Sequence, residues 1–248
     1  MTPHSPPKAT GGKAVYGASV GILMLEARFP RIVGDMGNAL TWPFPVHYRV
    51  VKGASPDRVV RGGAKGMLQP FIDAAQDLID HGADGITTNC GFLALYQHEL
   101  AEALDRPVAA SSLMQVGLVN AILPPSKRAG ILTISASSLT DQHLEGAAVP
   151  AGTPIGTTEG KREFSRAILN NEHELDVEAA RLDNVEAALE MQAAHADMGA
   201  IVLECTNMIP YAADIQRATG LPTYSMASFV EWFQSGLQPR AFASTDTR

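Results

Sequence analysis

One stretch of this chain occurs twice. Gly82-Ala-Asp-Gly-Ile-Thr-Thr-Asn-Cys90 aligns without a gap on Asp197-Met-Gly-Ala-Ile-Val-Leu-Glu-Cys205. At the constant offset of 115, Ile86 meets Ile201, Cys90 meets Cys205, Tyr96 meets Tyr211, Leu100 meets Ile215, Ala103 meets Ala218 and Pro107 meets Pro222. A weaker match joins Val20-Gly-Ile-Leu-Met-Leu-Glu-Ala27 to Ala129-Gly-Ile-Leu-Thr-Ile-Ser-Ala136, which gives each half an opening strand. Each copy reads as a short run rich in Ile, Val and Thr, the signature of a buried parallel strand, followed by the cysteine and an amphipathic helix. A helix also precedes each cysteine strand: Leu68–His81 carries Phe71, Ala74, Ala75 and Leu78 at three- and four-residue spacing, and Val177–His195 is its counterpart. Strands alternating with helices mean an α/β chain. The duplication makes it two pseudo-symmetric lobes, each a parallel sheet flanked by helices, with the active site in the cleft between them. The expected division is a disordered leader over 1–13, one lobe over 14–112 plus 226–248, and the other over 113–225.

Both thiols would face that cleft, because ligands of open parallel sheets bind beyond the carboxyl ends of the strands. A buried cysteine is often a small hydrophobe and nothing more. Two at equivalent strand ends, each followed by a small or polar residue, read instead as a working pair. Of two thiols across a substrate carbon, one can remove a proton as thiolate while the other returns one to the opposite face, which inverts a stereocentre. A free cysteine has a pKa near ~8.5, so helix N-terminal dipoles are expected to favour the thiolate at both sites. Backbone N–H groups and small polar side chains at the same turns, Thr88, Asn89, Thr206 and Asn207, are placed to bind a carboxylate and stabilise enolate-like charge.

The motifs Thr88-Asn-Cys-Gly91 and Glu204-Cys-Thr-Asn207, one in each half, resemble those of the aspartate/glutamate/hydantoin racemase superfamily over roughly residues 15–240. The resemblance implies no cofactor, a small carboxylate substrate, and Cys90 and Cys205 as the catalytic acid/base pair. It also implies substrate ligands after the first strand, here Asp35 and Asn38, and along the opening strand of the second lobe, here Thr133, Ser135 and Ser137. Thr88, Asn89, Gly91, Thr206 and Asn207 complete the expected substrate-binding set. Glutamate racemases carry Cys-Asn-Thr and Cys-Thr-His where this chain has Cys90-Gly-Phe92 and Cys205-Thr-Asn207, so glutamate or aspartate specificity does not carry over. The expected activity is racemisation or epimerisation of an amino acid or related small carboxylate. The alternative is a lyase or isomerase on the same scaffold, like the dimethylsulfoniopropionate lyases or maleate isomerases of that superfamily. A thiol-redox or binding module is a third reading, weakened by the lack of Cys-x-x-Cys.

Composition narrows the partners. The 248 residues carry 19 Lys plus Arg against 26 Asp plus Glu, a formal charge of −7, so a phosphate backbone gains no long-range attraction and nucleic acid is not an expected partner. The apolar run Val15–Leu25 falls short of the ~20 residues a bilayer span needs. The Pro- and Gly-rich leader does not read as a secretory signal, and two unpaired cysteines suit a reducing cytoplasm. A homodimer is the expected assembly.

Other motifs lead nowhere catalytic. Gly17-Ala-Ser-Val-Gly21 has the letters of a hydrolase nucleophile elbow but precedes a strand instead of following one. Arg61-Gly-Gly-Ala-Lys-Gly66 reads as a flexible turn. The seven histidines show no metal-ligand spacing, so no metal site is expected. Glu172–Glu178 reads as the acidic, solvated start of a helix. His143 is expected on an exposed helix surface and Arg28 and Arg31 as ordinary surface arginines. Trp42-Pro-Phe-Pro45 is a proline-fixed apolar loop, suited to a lid or a subunit contact.

Overall fold

The computed structural model describes residues 9–240. Short apolar runs become strands buried on both faces: β1 (Val20–Leu25), β3 (Gly85–Thr88) and β5 (Arg128–Thr133) are covered almost throughout, and β7 (Met198–Leu203) nearly so. The outer strands β2 (Val46–Val51), β4 (Val108–Ala109), β6 (Ile155–Thr157) and β8 (Thr223–Tyr224) are shorter or partly exposed, as edges are. All pairings are parallel. The strands form two four-stranded sheets of order β2-β1-β3-β4 and β6-β5-β7-β8. The sheets have the same topology, and the repeated cysteine strands β3 and β7 occupy the same place in each.

Helices α1 (Pro56–Val60), α2 (Leu68–His81), α3 (Gln97–Ala103) and α4 (Gln115–Ile122) accompany the first half, and α5 (Asp141–Gly146), α6 (Phe164–Leu169), α7 (Val177–Ala194) and α8 (Ala212–Thr219) the second. The stripe expected on α2 is the buried one: Phe71, Ala74, Ala75 and Leu78 face the core. Covering a Phe or Leu side chain is worth about 1.5–3 kcal/mol, so Phe71 and Leu78 carry most of that docking. Helix α9 (Met226–Leu237) returns to the first sheet, where Met226, Phe229, Val230 and Phe233 pack on Val20, Ile22 and Met24. The approach is close enough that a Cβ on Gly85 would stand 2.6 Å from the Phe233 ring. A larger core runs through both halves, from Leu23 to Ile215.

Most of the expected leader, residues 1–8, and the end of the chain, 241–248, lie outside the described residues. Lys13 is anchored, its Nζ donating to the Gly82 carbonyl and pairing with Asp84. The loop at Trp42 is no lid. Trp42 is buried, its indole N–H donates to the Met36 carbonyl and to the Tyr48 hydroxyl, and its ring stacks on Phe44, so it belongs to the core under α9. Among the described residues no helix is long and apolar enough to cross a membrane.

Candidate active site

Strands β3 and β7 end at equivalent points, and the chain then winds into the six-residue 3-10 segments Gly91–Tyr96 and Thr206–Tyr211. Cys90 and Cys205 are the residues before these segments; both are free thiols, 8% and 7% exposed. They line one small cavity. Its walls are largely apolar: Leu25 at the end of β1 and Phe29 after it, Pro56 and Val60 from α1, Phe92, Ile134, and Ile168 and Leu169 from α6. The polar groups on the wall are Arg31, Asn89, Glu204 and Asn207 beside the two thiols.

The two cysteine turns lock reciprocally. Thr206 Oγ1 donates to the Asn89 carbonyl at 2.6 Å, so the residue after the second cysteine holds the residue before the first. In the opposite direction, a Cβ on Gly91 would lie 2.3 Å from both the Glu204 carbonyl oxygen and Glu204 Oε1. Only glycine leaves room there. Thr88 Oγ1 donates to the Ala110 carbonyl at 2.6 Å and to the Cys90 carbonyl at 3.0 Å, clamping the first turn to the end of β4. Ser112 Oγ does similar work across the halves, donating to the carbonyls of Leu203 and Glu204.

A second framework holds the cations and amides. The buried Asp35 carboxylate accepts from Arg31 Nη1 and from the Gly37 backbone N–H, each at 2.7 Å, and its other oxygen accepts from Asn207 Nδ2. Asn207 Oδ1 in turn accepts from the Cys205 thiol at 3.5 Å. The Arg31 side chain is 14% exposed and its buried Nη2 has no partner within the protein. Arg31 is thus a positioned guanidinium in the cavity wall and not the surface residue expected. A guanidinium with one N–H edge unspent is a ready anchor for a carboxylate.

Glu204 is wholly buried. Thr133 Oγ1 donates to its Oε2 at 2.7 Å, while Oε1 has no partner. Burial pushes its carboxyl up to about 7, against hydrogen bonds from Thr133 and the Ile134 backbone that favour the charged form. Both thiols are pushed well above their ordinary value, first by burial and then by the Glu204 charge. This overturns the expectation of thiolates favoured by helix dipoles. Desolvation disfavours the anion, and the backbone N–H groups of short 3-10 turns do not offset it.

Of the expected site residues, Cys90, Cys205, Asn89, Gly91 and Asn207 line the cavity together. Asp35, Thr88, Thr133 and Thr206 stand one bond behind, gripping Arg31 and Asn207, the first turn, Glu204, and Asn89 respectively. Asn38, Ser135 and Ser137 are not brought there. Asn38 caps the turn Ala39–Thr41, its Oδ1 accepting from the Leu40 N–H and its Nδ2 donating to the Arg31 carbonyl. Ser135 and Ser137 donate to the carboxylate of Glu159, which these bonds hold below its ordinary value despite burial. His143 is buried instead of exposed: its Nδ1 pairs with Thr140 in a capping box and its ring meets the edge of Phe92. In the sequence Glu204 stands out as an acidic residue directly after the apolar run Met198–Leu203. Among the described residues no cluster of three or more His, Cys, Asp or Glu side chains is placed to hold a metal ion.

No family model matches the chain. It is 28% identical over 229 residues to a dimethylsulfoniopropionate lyase of Durusdinium sp. clade D, covering 88% of this chain and 75% of that protein. It is likewise 28% identical to dimethylsulfoniopropionate lyase 7 of Emiliania huxleyi, over 88% of this chain and 67% of the relative. Among solved structures, a glutamate racemase from Bacillus anthracis superposes with a TM-score of 0.58 at 14% identity, covering 90% of this chain and 85% of its own. An arylmalonate decarboxylase superposes with a TM-score of 0.56 at 15% identity, covering 90% and 93%.

Proposed function

We propose that this chain, which has the two-lobed fold of the aspartate/glutamate racemase superfamily, is a cofactor-independent lyase. Its reaction would be a β-elimination from a small carboxylate of the dimethylsulfoniopropionate kind. One observation carries the proposal: two thiols, a carboxyl and a guanidinium with a free N–H edge share one small cavity, with the amides of Asn89 and Asn207 in an otherwise apolar wall. The Arg31 guanidinium binds the substrate carboxylate. That contact also draws charge from the carbon next to the carboxyl, making its proton easier to remove. Phe29, Phe92 and the aliphatic wall surround the remainder of the substrate. The proton leaves for an acid/base side chain of the cavity, the C–H electron pair becomes a C=C bond, and the C–S pair departs with sulfur as a neutral thioether. Cys90 and Cys205 are the proton-handling pair that the duplicated scaffold supplies. The relatives that share 88% of the chain support elimination over racemisation.

The second reading, amino-acid racemisation, is favoured by the placement of the thiols at symmetry-related turns, where two-base proton transfer would need them. One experiment separates the two. The protein is incubated in deuterium oxide with dimethylsulfoniopropionate and, in parallel, with a panel of amino acids. Elimination releases dimethyl sulfide to the headspace and leaves acrylate in solution. Racemisation instead places deuterium on the α-carbon of an otherwise intact amino acid. Neither product with any substrate would refute both.

A further inference from the structure

We infer that Glu204 recognises a cation on the substrate, which narrows the substrate class to small zwitterions: a carboxylate at one end and an onium group, sulfonium or ammonium, at the other. This deepens the reading above and rests on it, and Cys90 and Cys205 keep the proton-handling role given to them there. Among the described residues, two side chains that line the cavity have a buried polar atom without a partner: Arg31, at Nη2, and Glu204, at Oε1. They carry opposite charges and do not satisfy each other. Arg31 pairs with Asp35, and Glu204 has no ion pair among the described residues. Glu204 is wholly buried and its second oxygen is held by Thr133 at 2.7 Å, so Oε1 has a fixed position. In the facing turn a Cβ on Gly91 would lie 2.3 Å from Oε1, so only glycine leaves the carboxyl room.

Charge decides what fits between them. The cavity and its immediate support hold one cation, Arg31, against two acids, Asp35 and Glu204. A plain carboxylate would add a third negative charge to an enclosed site, and buried charge left unpaired is costly. A zwitterion adds no net charge: its carboxylate takes the open Arg31 edge, and its cation faces Oε1, which the protein leaves without a donor. The apolar wall residues, Phe29, Val60, Ile168 and Leu169 among them, offer a cation no counter-charge. The same placement sets when the contact acts. As the C–S bond breaks, its electron pair leaves with sulfur, and the sulfonium becomes a neutral thioether. Attraction to Glu204 is therefore strongest in the bound ground state and fades toward the transition state, so it governs binding and discrimination and not the rate of the chemical step.

Two ligands of the same shape test the assignment: N,N-dimethyl-β-alanine, which carries the cation, and isocaproate, which has carbon in its place. Each is titrated for protection of Cys90 and Cys205 from iodoacetamide, read by peptide mass spectrometry and scaled to the unliganded rate of the same variant. The wild-type protein should bind the zwitterion about 10- to 100-fold more tightly, the ordinary worth of a buried contact to a charged group. Equal affinity overturns the proposal without any variant. Glu204→Gln should abolish the preference, and a preference that survives in it overturns the proposal. With dimethylsulfoniopropionate, Glu204→Gln should lower kcat/KM by a similar factor through a higher KM. A loss confined to kcat overturns recognition as the role of Glu204. The ligand titration needs no turnover. If no dimethyl sulfide is released, the lyase reading fails, while the preference for the cation and its loss in Glu204→Gln still support or overturn the assignment.

Discussion

The first and second cysteine turns are the same structure with different chemistry. Each ends a buried central strand, each places its cysteine before a six-residue 3-10 segment, and each has the residue before the cysteine reach back to its own lobe's first strand. In the first turn that residue is Asn89, whose Oδ1 accepts from the Leu25 backbone at 2.7 Å. In the second it is Glu204, whose Oε2 accepts from Thr133 at 2.7 Å. The repeat therefore provides one slot twice and fills it once with an amide and once with an acid. The tyrosines at equivalent positions differ too: Tyr96 donates to the Ala64 carbonyl, while the Tyr211 hydroxyl is buried without a partner. A racemase that handles both enantiomers has use for two chemically similar faces. With an amide before one cysteine and an acid before the other, the two turns are chemically unlike where such a pair would be alike.

The largest expected effect lies at Arg31, the cation of the cavity wall. Arg31→Met removes the cation from Asp35, which is 3% exposed and would be left as a buried charge holding only amide partners. Breaking such a pair costs about 3–5 kcal/mol. Denaturant unfolding of this variant should show that loss, and on the role proposed for Arg31 its turnover should vanish. A variant as stable as the wild type would mean that Arg31 and Asp35 do not form a working pair.

Next in size is a gain. Glu204 rises from 4.5 to about 7 on folding, and each unit is worth 1.36 kcal/mol, so an ionised Glu204 costs about 3 kcal/mol of stability. The sign follows from the folded value being the higher one. The carboxyl is protonated in both states below the unfolded value, so nothing is lost there. Between the two values the unfolded chain alone ionises, and stability declines until pH passes about 7. Glu204→Gln should accordingly be more stable than wild type by about 3 kcal/mol at pH 8 and no more stable at pH 4. Asn89→Ala in the sister turn should give a loss that does not vary across the same range. Parallel curves for both variants would erase the distinction between the turns.

How much of this was readable beforehand divides along the same line. The repeat, the two parallel sheets, helix α2 to the residue, and the convergence of Cys90, Cys205, Asn89, Gly91 and Asn207 follow from local signals: apolar period, strand-end position and an offset of 115. Arg31 and Glu204 do not, because their roles come from burial contributed by other segments. Arg31 is enclosed by its tie to Asp35, and Glu204 by residues that come from both halves of the chain. The failure at Ser135 and Ser137 has the same origin, since Glu159, some two dozen residues away, takes the hydroxyls that were expected to meet substrate. A thiol's protonation is likewise only half legible: the motif shows the turn that would lower its proton affinity and hides the desolvation that raises it.

The reciprocal lock between the turns sets the two smallest predictions. Gly91→Ala forces a Cβ to within 2.3 Å of the Glu204 carbonyl, a backbone atom that cannot rotate away. Overpacking of this kind costs about 1–3 kcal/mol. The opposite half of the lock is a hydrogen bond, and Thr206→Val deletes it while keeping the shape of the side chain. The Asn89 carbonyl then loses its 2.6 Å donor, for about 1 kcal/mol. If both were only packing defects, each would lower the melting temperature and leave the thiols alike. Because Gly91 borders the acid and Thr206 borders the amide, Gly91→Ala should also alter the pH at which iodoacetamide reactivity changes, whereas Thr206→Val should leave that pH in place. Equal shifts from the two variants would place the carboxyl's influence evenly on both turns and erase the chemical difference between them.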